Sequence, residues 1–199
     1  MTKKMWDQRY AESEYVYGTS PNTFFKLELD KLSPGKILLP AEGEGRNAVY
    51  AAEKGWKVWA FDQSEEGRKK ALRLAAERHV MITYSLHDLN VPDYPVDFFD
   101  VVALVFVHTP SPARQQIHRN LLRFLKPGGK VILIGYSKEQ LQFDTGGPRD
   151  EAMLFSLEEI KTDFSGTRIL FLDQMETLVE EGDYHRGKAS VIQLLAEKK

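Results

Sequence analysis

The stretch Ile37–Asp62, ILLPAEGEGRNAVYAAEKGWKVWAFD, decides the fold of this chain. It opens with a short apolar run after a Ser-Pro-Gly turn, which predicts a buried strand at Ile37–Leu39. A glycine loop follows, and the alanine-rich segment Arg46–Lys54 predicts a helix that stops at the next glycine. A second apolar run, Trp56–Phe61, ends in Asp62. The order strand, loop, helix and strand is that of the first unit of a doubly wound α/β sheet.

The glycine loop and Asp62 together indicate a nucleotide-like ligand. Gly43 and Gly45 let the backbone approach a ligand closely and turn into the helix. Asp62 lies 19 residues after Gly43, where a carboxylate commonly binds a ribose diol. Glu42 and Glu44 would repel a pyrophosphate at the start of the helix but attract an ammonium or sulfonium group. The alternative interpretation is an ordinary loop with two solvated glutamates.

The loop also carries a resemblance to a known family. Leu38–Asn47, LLPAEGEGRN, resembles the first motif of class I S-adenosylmethionine-dependent methyltransferases. Its Gly43–Asn47 part is similar to small bacterial members of the tellurite-resistance and thiopurine-methyltransferase type, and Leu125–Gly129, LKPGG, is a second signature of the family. The chain departs from the pattern at Leu39, where the family has an acid that holds the methionyl end of the cofactor, and at Ala41, where it has glycine.

The resemblance implies that the cofactor is S-adenosylmethionine and that the loop at Glu42–Gly45 cradles its methionyl part. Glu42 is then the candidate to replace the missing acid. By the same resemblance, Asp62 binds the ribose and Asp88 accepts from the adenine amino group, with a turn-forming role as the alternative for Asp88. The residues that we expect to contact the cofactor are Arg9, Tyr17, Glu42, Gly43, Gly45, Asn47, Asp62, Gln63, Asp88, Leu89 and Phe106.

The first 35 residues precede the sheet and are predicted to contain two short helices. One covers Lys4–Glu12, and the second begins at an N-cap at Ser20 and runs to about Lys31. In the resembled family, a segment with Trp-x-x-Arg-Tyr and Tyr-Gly-x-x-Pro folds over the bound cofactor, and this chain has these patterns at Trp6–Tyr10 and Tyr17–Pro21. We therefore expect a lid, with simple packing on the sheet edge as the alternative.

By the same resemblance, the rest of the chain completes an α/β fold. The expected fold is a doubly wound, Rossmann-like sheet of seven mostly parallel strands with an antiparallel last strand and helices on both faces, in one domain over residues 1–199 whose core begins at residue 36. A helix from the N-cap Ser64 to about Arg78 should bury Leu72, Ala75 and Ala76 and expose its lysines and arginines. The later strands are predicted at Val80–Ser85, Phe98–Val107, Lys130–Tyr136, Arg168–Leu172 and Ala189–Leu195.

The acceptor pocket should lie beside the cofactor, because ligands bind at the carboxyl ends of the strands in such sheets. His108 follows the fourth strand, and Arg149 lies in the loop after the fifth. Tyr184 and His185 lie in the turn before the last strand. We expect these four side chains to line the pocket, with a histidine as candidate base. The alternatives are a structural His108, a surface ion pair of Arg149 and a Tyr184 that only packs in a hairpin.

The composition limits which classes of partner and which cellular location we expect for this protein. The chain has 199 residues, a net charge of −2 and no cysteine. We therefore expect no nucleic-acid partner, no membrane partner and no disulfide or thiol nucleophile in the protein itself, and a small molecule as the methyl acceptor. The five histidines are scattered without ligand spacing, so no metal site is expected. The N-terminus has no apolar targeting segment, which favours a cytoplasmic protein. We expect a monomer or homodimer.

Two rival functions stay open at this point. Gly43-x-Gly45-x-x-Ala48 also fits a dinucleotide fingerprint, and Tyr-x-x-x-Lys, the pair of short-chain reductases, occurs at Tyr50 and Tyr184. Neither tyrosine follows a central strand on a helix, so an NAD(P)-dependent reductase is the weaker hypothesis. A non-catalytic protein that binds S-adenosylmethionine is the second rival, because the chain departs from the family motif.

Overall fold

A mixed β-sheet forms the centre of the protein, whose computed structural model describes residues 2–90, 92–182 and 184–199. Within these ranges seven strands occur in the spatial order third, second, first, fourth, fifth, seventh, sixth. The strands are β1 (Lys36–Pro40), β2 (Lys57–Asp62), β3 (Thr83–Leu86), β4 (Phe99–Val105), β5 (Leu125–Tyr136), β6 (Thr167–Glu180) and β7 (Arg186–Lys198).

Six α-helices flank the sheet in the described part of the chain. They are α1 (Lys3–Tyr10), α2 (Thr23–Leu29), α3 (Arg46–Glu53), α4 (Glu65–Glu77), α5 (Ser111–Phe124) and α6 (Leu157–Asp163). Two short 3-10 helices, Lys138–Gln142 and Glu151–Met153, lie between β5 and α6. None of the helices in the described ranges is long and apolar enough to span a membrane.

The strand directions confirm the predicted topology. β1 pairs in parallel with β2 and β4, β2 with β3, and β4 with β5. β7 lies between β5 and β6 and runs antiparallel to both. The chain leaves β1 toward β2 and β3 on one side and returns to β4 on the other side. A crevice for ligands therefore opens at the carboxyl ends of β1 and β4.

Side chains alternate between two cores, one on each face of the sheet. In β1, Ile37 and Leu39 face the core shared with α2, α3 and α4, while Leu38 faces the core shared with α5 and α6. In β4, Val101 faces the same core as Ile37, and Val102 faces the same core as Leu38. The near-continuous apolar runs of these strands follow from their burial on both faces. Helices on both faces are therefore confirmed.

Several element boundaries differ from the sequence predictions. The second helix has its N-cap at Asn22, whose side chain accepts from the Phe25 N–H, and not at Ser20. The Leu125–Gly129 motif is not a free turn but the start of β5, because the ladder with β4 shifts register there through a bulge. β3 begins only at Thr83, and the last two strands are much longer than predicted and form one antiparallel hairpin.

Helix α4 differs from the prediction in what it buries. Its N-cap is Ser64, as predicted, but Leu72 is 38% exposed and Leu74 fills the core position instead. Lys70 was expected in solvent and is 7% exposed, because its ammonium pairs with Glu44 at 2.7 Å. A buried lysine on a charged helix gives no signal in the hydrophobic pattern, because its partner lies on a different element.

Candidate active site

A cavity of about 420 Å³ opens at the carboxyl ends of the parallel strands, where the topology places a ligand crevice. Side chains from the ends of β1 to β5, from α1 and from the turn before β7 line it. The predicted site residues among them are Arg9, Tyr17, Glu42, Asn47, Asp62, Gln63, Asp88, Leu89, Phe106, His108, Tyr184 and His185. Gly43 and Gly45 shape the adjoining loop, and Arg149 is not part of the lining.

The lining divides into two chemically different halves. The carboxylate half is defined by Glu42, Asp62 and Asp88, which lie at the carboxyl ends of β1, β2 and β3. The aromatic half is defined by Tyr17, Phe106, Tyr136, Tyr184 and His185, most of which follow β4, β5 and β6. The two halves meet where β1 and β4 lie side by side.

Glu42 caps helix α3 from inside the cavity. Its Oε1 accepts from the backbone N–H groups of Asn47 and Ala48, both at 2.8 Å, and its Oε2 accepts from Asn47 Nδ2 at 3.3 Å. Burial raises the pKa of Glu42 to about 7, although these donors favour the carboxylate. A cationic ligand group beside Glu42 would restore the charged form.

Asp62 is fixed by two backbone amides at the end of β2. Gly43 N–H donates to its Oδ2 at 3.1 Å, and Ser64 N–H donates to its Oδ1 at 2.8 Å. Each carboxylate oxygen can accept a second hydrogen bond. Burial raises the pKa of Asp62, and the same amides oppose that rise. The carboxylate is thus held in place with acceptor capacity left for a diol.

The glycine loop is shaped by close approach of other elements. Gly45 has φ 88°, and a Cβ there would lie 2.5 Å from the Cβ of Ala71 in α4. A Cβ on Gly43, which has φ 60°, would lie 2.6 Å from the Tyr10 hydroxyl. Glycine is required at both positions, because only glycine combines positive φ with this proximity.

Glu44 does not face the cavity, contrary to the expectation that both loop glutamates would attract a cation. Glu44 is 4% exposed, and its carboxylate forms the buried ion pair with Lys70. Lys70 also donates to the carbonyl of Glu14 at 2.6 Å, and the Tyr17 N–H donates to Glu44 at 3.4 Å. Glu44 therefore ties the N-terminal segment to the glycine loop.

The N-terminal segment covers one side of the cavity. Arg9 Nη1 donates to the Tyr17 hydroxyl at 2.9 Å, and the Arg9 guanidinium lies 5.0 Å from the Trp6 ring centre and 4.8 Å from that of Tyr184. These contacts join α1, the following loop and the turn before β7. The placement fits the predicted lid and equally fits simple packing.

Glu181 joins three elements around the cavity. It accepts from Asn22 Nδ2 at 2.6 Å and pairs with Arg46 Nη2 at 2.7 Å. His185 Nδ1 lies 3.4 Å from the same carboxylate. Burial alone would raise the pKa of Glu181, but His185 and Arg46 outweigh it and bring the pKa to about 2. Since Glu181 is ionised, the Nδ1 of His185 carries the proton and Nε2 carries a lone pair.

His108 lines the cavity but is not free to act as a base. Its Nδ1 lies 2.9 Å from the Met153 carbonyl, and its Nε2 accepts from the Tyr136 N–H at 3.1 Å. Both ring nitrogens therefore hold backbone groups of neighbouring segments. Burial lowers the pKa of His108 to about 4, which keeps the ring neutral. This geometry favours the architectural alternative for His108, and its role as a base stays a prediction.

Arg149 lies outside the cavity, which does not support its predicted place in the acceptor pocket. Its guanidinium pairs with Asp144 at 2.6 Å and donates to the Phe143 carbonyl at 3.1 Å. More than half of its side chain is exposed. Gly146 and Gly147 of the same loop do line the cavity. The ion pair with Asp144 turns the arginine outward.

Asp88 lies in the cavity wall and also forms a turn, and its contact with adenine stays a prediction. It lines the cavity, and its Oδ1 accepts from the Asn90 N–H at 2.8 Å, as in an Asx turn. Leu89 and Phe61 supply apolar surface beside it. This corner suits a flat heterocycle with one polar edge.

Tyr136 is the functional candidate that sequence reasoning missed. It ends β5, lines the cavity, and is 1% exposed. Its hydroxyl has no hydrogen-bond partner among the described residues. The available signal was its position at the carboxyl end of a central strand, the same signal that singled out His108. Arg46 was missed too, because its partner Glu181 is distant in sequence.

The chain was then compared with known proteins. Residues 37–129 match the family model described as a methyltransferase domain. The 2-heptyl-1-hydroxyquinolin-4(1H)-one methyltransferase of Mycobacteroides abscessus is 25% identical over 145 residues, covering 71% of this chain and 64% of that protein. TehB of Haemophilus influenzae, which carries the name "Probable S-adenosyl-L-methionine-dependent methyltransferase TehB", is 23% identical over 173 residues, covering 84% of this chain and 59% of TehB. The chain spans less than two thirds of the length of the curated relatives it matches.

Solved structures show the same fold. The crystal structure of TehB from Haemophilus influenzae superposes with a TM-score of 0.76 at 19% identity, covering 99% of this chain and 67% of that one. A structure reported for the conversion of a disulfide bond into a thioacetal group during echinomycin biosynthesis superposes with a TM-score of 0.82 at 16% identity. The match covers 100% of this chain and 92% of that one. The match of residues 37–129 to the methyltransferase-domain model, the likeness to TehB and the shared fold make this chain similar to S-adenosylmethionine-dependent methyltransferases.

Proposed function

We propose that this protein transfers the methyl group of S-adenosylmethionine to a small-molecule acceptor. The observation that carries the proposal is the set of carboxylates after β1, β2 and β3, all in one half of a cavity at the topological switch point. Carboxyl groups with free acceptor capacity suit a ligand with an ammonium, a ribose diol and an adenine amino group.

The residues of the carboxylate half fit the cofactor group by group. Glu42 stands where an ammonium group can restore its charge, and Asp62 has free acceptor capacity for the ribose hydroxyls. Asp88, with Leu89 and Phe61, provides a polar edge and apolar surface for the adenine. When bound, the cofactor supplies an activated methyl group on a good leaving group. The protein contributes binding and alignment, which supply much of the rate in such displacements.

The aromatic half is the proposed place of the acceptor. Ring faces of Phe106 and Tyr17 carry negative charge density, which favours a sulfonium nearby. His185 Nε2 can accept a hydrogen bond from the acceptor, and the need for base help depends on how acidic the acceptor is. The small size of the cavity and the net charge of −2 favour a small molecule over a nucleic acid.

Thermal shift measurements and an acceptor screen test this proposal against its two rivals. S-adenosylhomocysteine should raise the melting temperature, and NAD(P) should not. A broad screen with labelled S-adenosylmethionine should then give a methylated product. Stabilisation by NAD(P) alone would favour the reductase. Stabilisation by S-adenosylhomocysteine without any methylated product would favour a non-catalytic binding protein.

A further inference from the structure

The hydroxyl of Tyr136 is an isolated polar group in the wall of the aromatic half. The ring lies 4.6 Å from Phe106, 5.3 Å from His185 and 5.7 Å from His108, measured between ring centres. The hydroxyl itself is buried and has no partner within the described residues. A buried hydroxyl without a partner destabilises the folded protein. Such a group in a cavity wall points to a ligand that completes its hydrogen bond.

The loop that covers Tyr136 is built to come close to it. A Cβ on Gly147, which has φ 87°, would lie 2.7 Å from Tyr136 Cδ2, and a Cβ on Gly146 would lie 3.2 Å from the hydroxyl oxygen. Two adjacent glycines with positive φ therefore bring this loop onto the tyrosine. The hydroxyl is shielded from bulk water, so a hydrogen bond from it is stronger than in solvent.

The surrounding rings define the shape of the ligand. Phe106 and His185 meet edge to face, with centres 4.7 Å apart, and Tyr17 lies 4.6 Å from His185. These rings form a slot with flat walls, which suits a planar ring. Within the described residues, the carboxylates that line the cavity all lie in the other half. The ionised Glu181 lies behind the slot, with its carboxylate 3.4 Å from His185 Nδ1, and its charge is paired with Arg46, which lines the cavity.

The charges of the slot favour an acidic acceptor. Arg9 lies over the ring of Tyr184 at its rim. Burial lowers the pKa of His185, which makes it a weak base, and burial raises the pKa of Tyr136, which keeps its hydroxyl protonated as a donor. An acceptor that loses its own proton to solvent needs no strong base in the protein. Its negative charge is stabilised by a hydrogen bond from a donor such as the Tyr136 hydroxyl.

We propose that the aromatic half binds a planar ring that carries an ionised oxygen or sulfur, and that the Tyr136 hydroxyl donates a hydrogen bond to that atom. This inference rests on the proposed function and names the chemical class of its acceptor. The ionised atom forms a bond to the methyl carbon, the bond between that carbon and the sulfonium sulfur breaks, and its electron pair stays on sulfur. No proton moves in the step, because the acceptor lost its proton to solvent before binding.

The kinetic test uses two coloured anions, 4-nitrophenol and 4-nitrothiophenol, and the amine 4-nitrobenzylamine. The wild-type protein should methylate at least one anion faster than the amine, and the pair shows whether oxygen or sulfur is preferred. Tyr136→Phe should lower kcat/KM for that anion at least tenfold. Tyr50→Phe is the matched control, because it removes a hydroxyl that contacts Asp30 on the far side of α3. Preference for the amine, or full activity of Tyr136→Phe, overturns the proposal.

A second readout needs no turnover. In the presence of S-adenosylhomocysteine, bound 4-nitrophenol should titrate at a lower pH than free 4-nitrophenol, and Tyr136→Phe should move its titration back by about one pH unit. The same variant should unfold at equal or higher denaturant concentration, because it removes an unpartnered polar group. A loss of stability would show that the hydroxyl already has a structural partner and would overturn the proposal.

Failure of the proposed function gives a different result. A protein that does not bind S-adenosylhomocysteine at all contradicts the methyltransferase activity itself. A protein that binds it and methylates only amines or carbon acids keeps the activity and overturns the acceptor class alone.

Discussion

The two halves of the cavity lie on the same edge of one sheet but are held in different ways. In the carboxylate half, backbone amides a few residues away fix the functional oxygens, as at Glu42 and Asp62. In the aromatic half, segments that are far apart in sequence assemble the slot, as when Tyr17 meets His185 at 4.6 Å. The cofactor end is thus encoded by local sequence, whereas the acceptor end depends on how the chain ends fold onto the sheet.

The largest expected effect is a loss of stability, and it distinguishes the roles of the two histidines beside the aromatic half, His108 and His185. His108→Ala should lower the free energy of unfolding by about 4 kcal/mol, because it leaves the Met153 carbonyl and the Tyr136 N–H without partners. His185→Ala should lower the free energy of unfolding clearly less, because its ring holds no backbone group in the described contacts. The same variant should lower the rate of methyl transfer more than His108→Ala does. Urea unfolding and methyl transfer of the two variants check this. Equal stability losses would contradict the architectural role of His108.

The second prediction concerns the charge of Glu42 in the carboxylate half. Its pKa of about 7 in the folded protein lies above the ordinary value of 4.5. The folded state therefore binds more protons between these pH values, and stability falls as the pH rises through that window. The loss by pH 8 is on the order of 3 kcal/mol. His108, with a folded pKa of about 4, gives the opposite slope between pH 4 and 6.5.

The variant Glu42→Gln separates the pH dependence of stability that is due to Glu42 from the one that is due to His108. The glutamine oxygen can still accept from the Asn47 and Ala48 N–H groups, so helix α3 stays capped. We expect the variant to gain stability relative to the wild type as the pH rises from 5 to 8. Chemical unfolding at each pH measures the difference. A constant difference across this range would mean that Glu42 is ionised throughout in the folded protein.

The third prediction concerns the cofactor directly. Asp62→Ala should raise the dissociation constant of S-adenosylhomocysteine at least tenfold, which is about 1.4 kcal/mol. The carboxylate would be lost as a ligand, and the Gly43 and Ser64 N–H groups would lose their acceptor. Asp173→Ala, which removes an exposed carboxylate on β6, is the control in calorimetry. Unchanged binding by Asp62→Ala would remove Asp62 from the site.

The difference between the two halves also explains which parts of the fold and of the site could be predicted from the sequence. Strand order, the glycine loop and Asp62 were predictable because their signals lie within one stretch or follow a family pattern. The ion pair of Glu44 with Lys70 was not, because the helical pattern of α4 treats every lysine as exposed. The missing partner of Tyr136 and the outward turn of Arg149 depend on distant loops, and no spacing in the sequence encodes such contacts.

The smallest expected effect compares one strained residue from each half. Ala41 follows β1 with φ 50°, and Phe106 follows β4 with φ 54°, although neither is glycine. The left-handed conformation costs a residue with a Cβ roughly 1–2 kcal/mol, which glycine avoids at some cost in entropy. Ala41→Gly, which restores the residue of the resembled family, should therefore stabilise the protein by about 0.5–1 kcal/mol and raise the melting temperature by about 1–4 °C.

Phe106→Gly relieves the same backbone strain but should have the opposite result. Its ring packs 4.6 Å from Tyr136 and 4.7 Å from His185, so the lost contacts outweigh the relief. Calorimetric unfolding of both variants, with and without S-adenosylhomocysteine, separates strain from packing. If Ala41→Gly lowers the melting temperature instead, the Cβ of Ala41 contributes packing at the end of β1 that exceeds its strain. In that case the departure from the family glycine stabilises the folded protein.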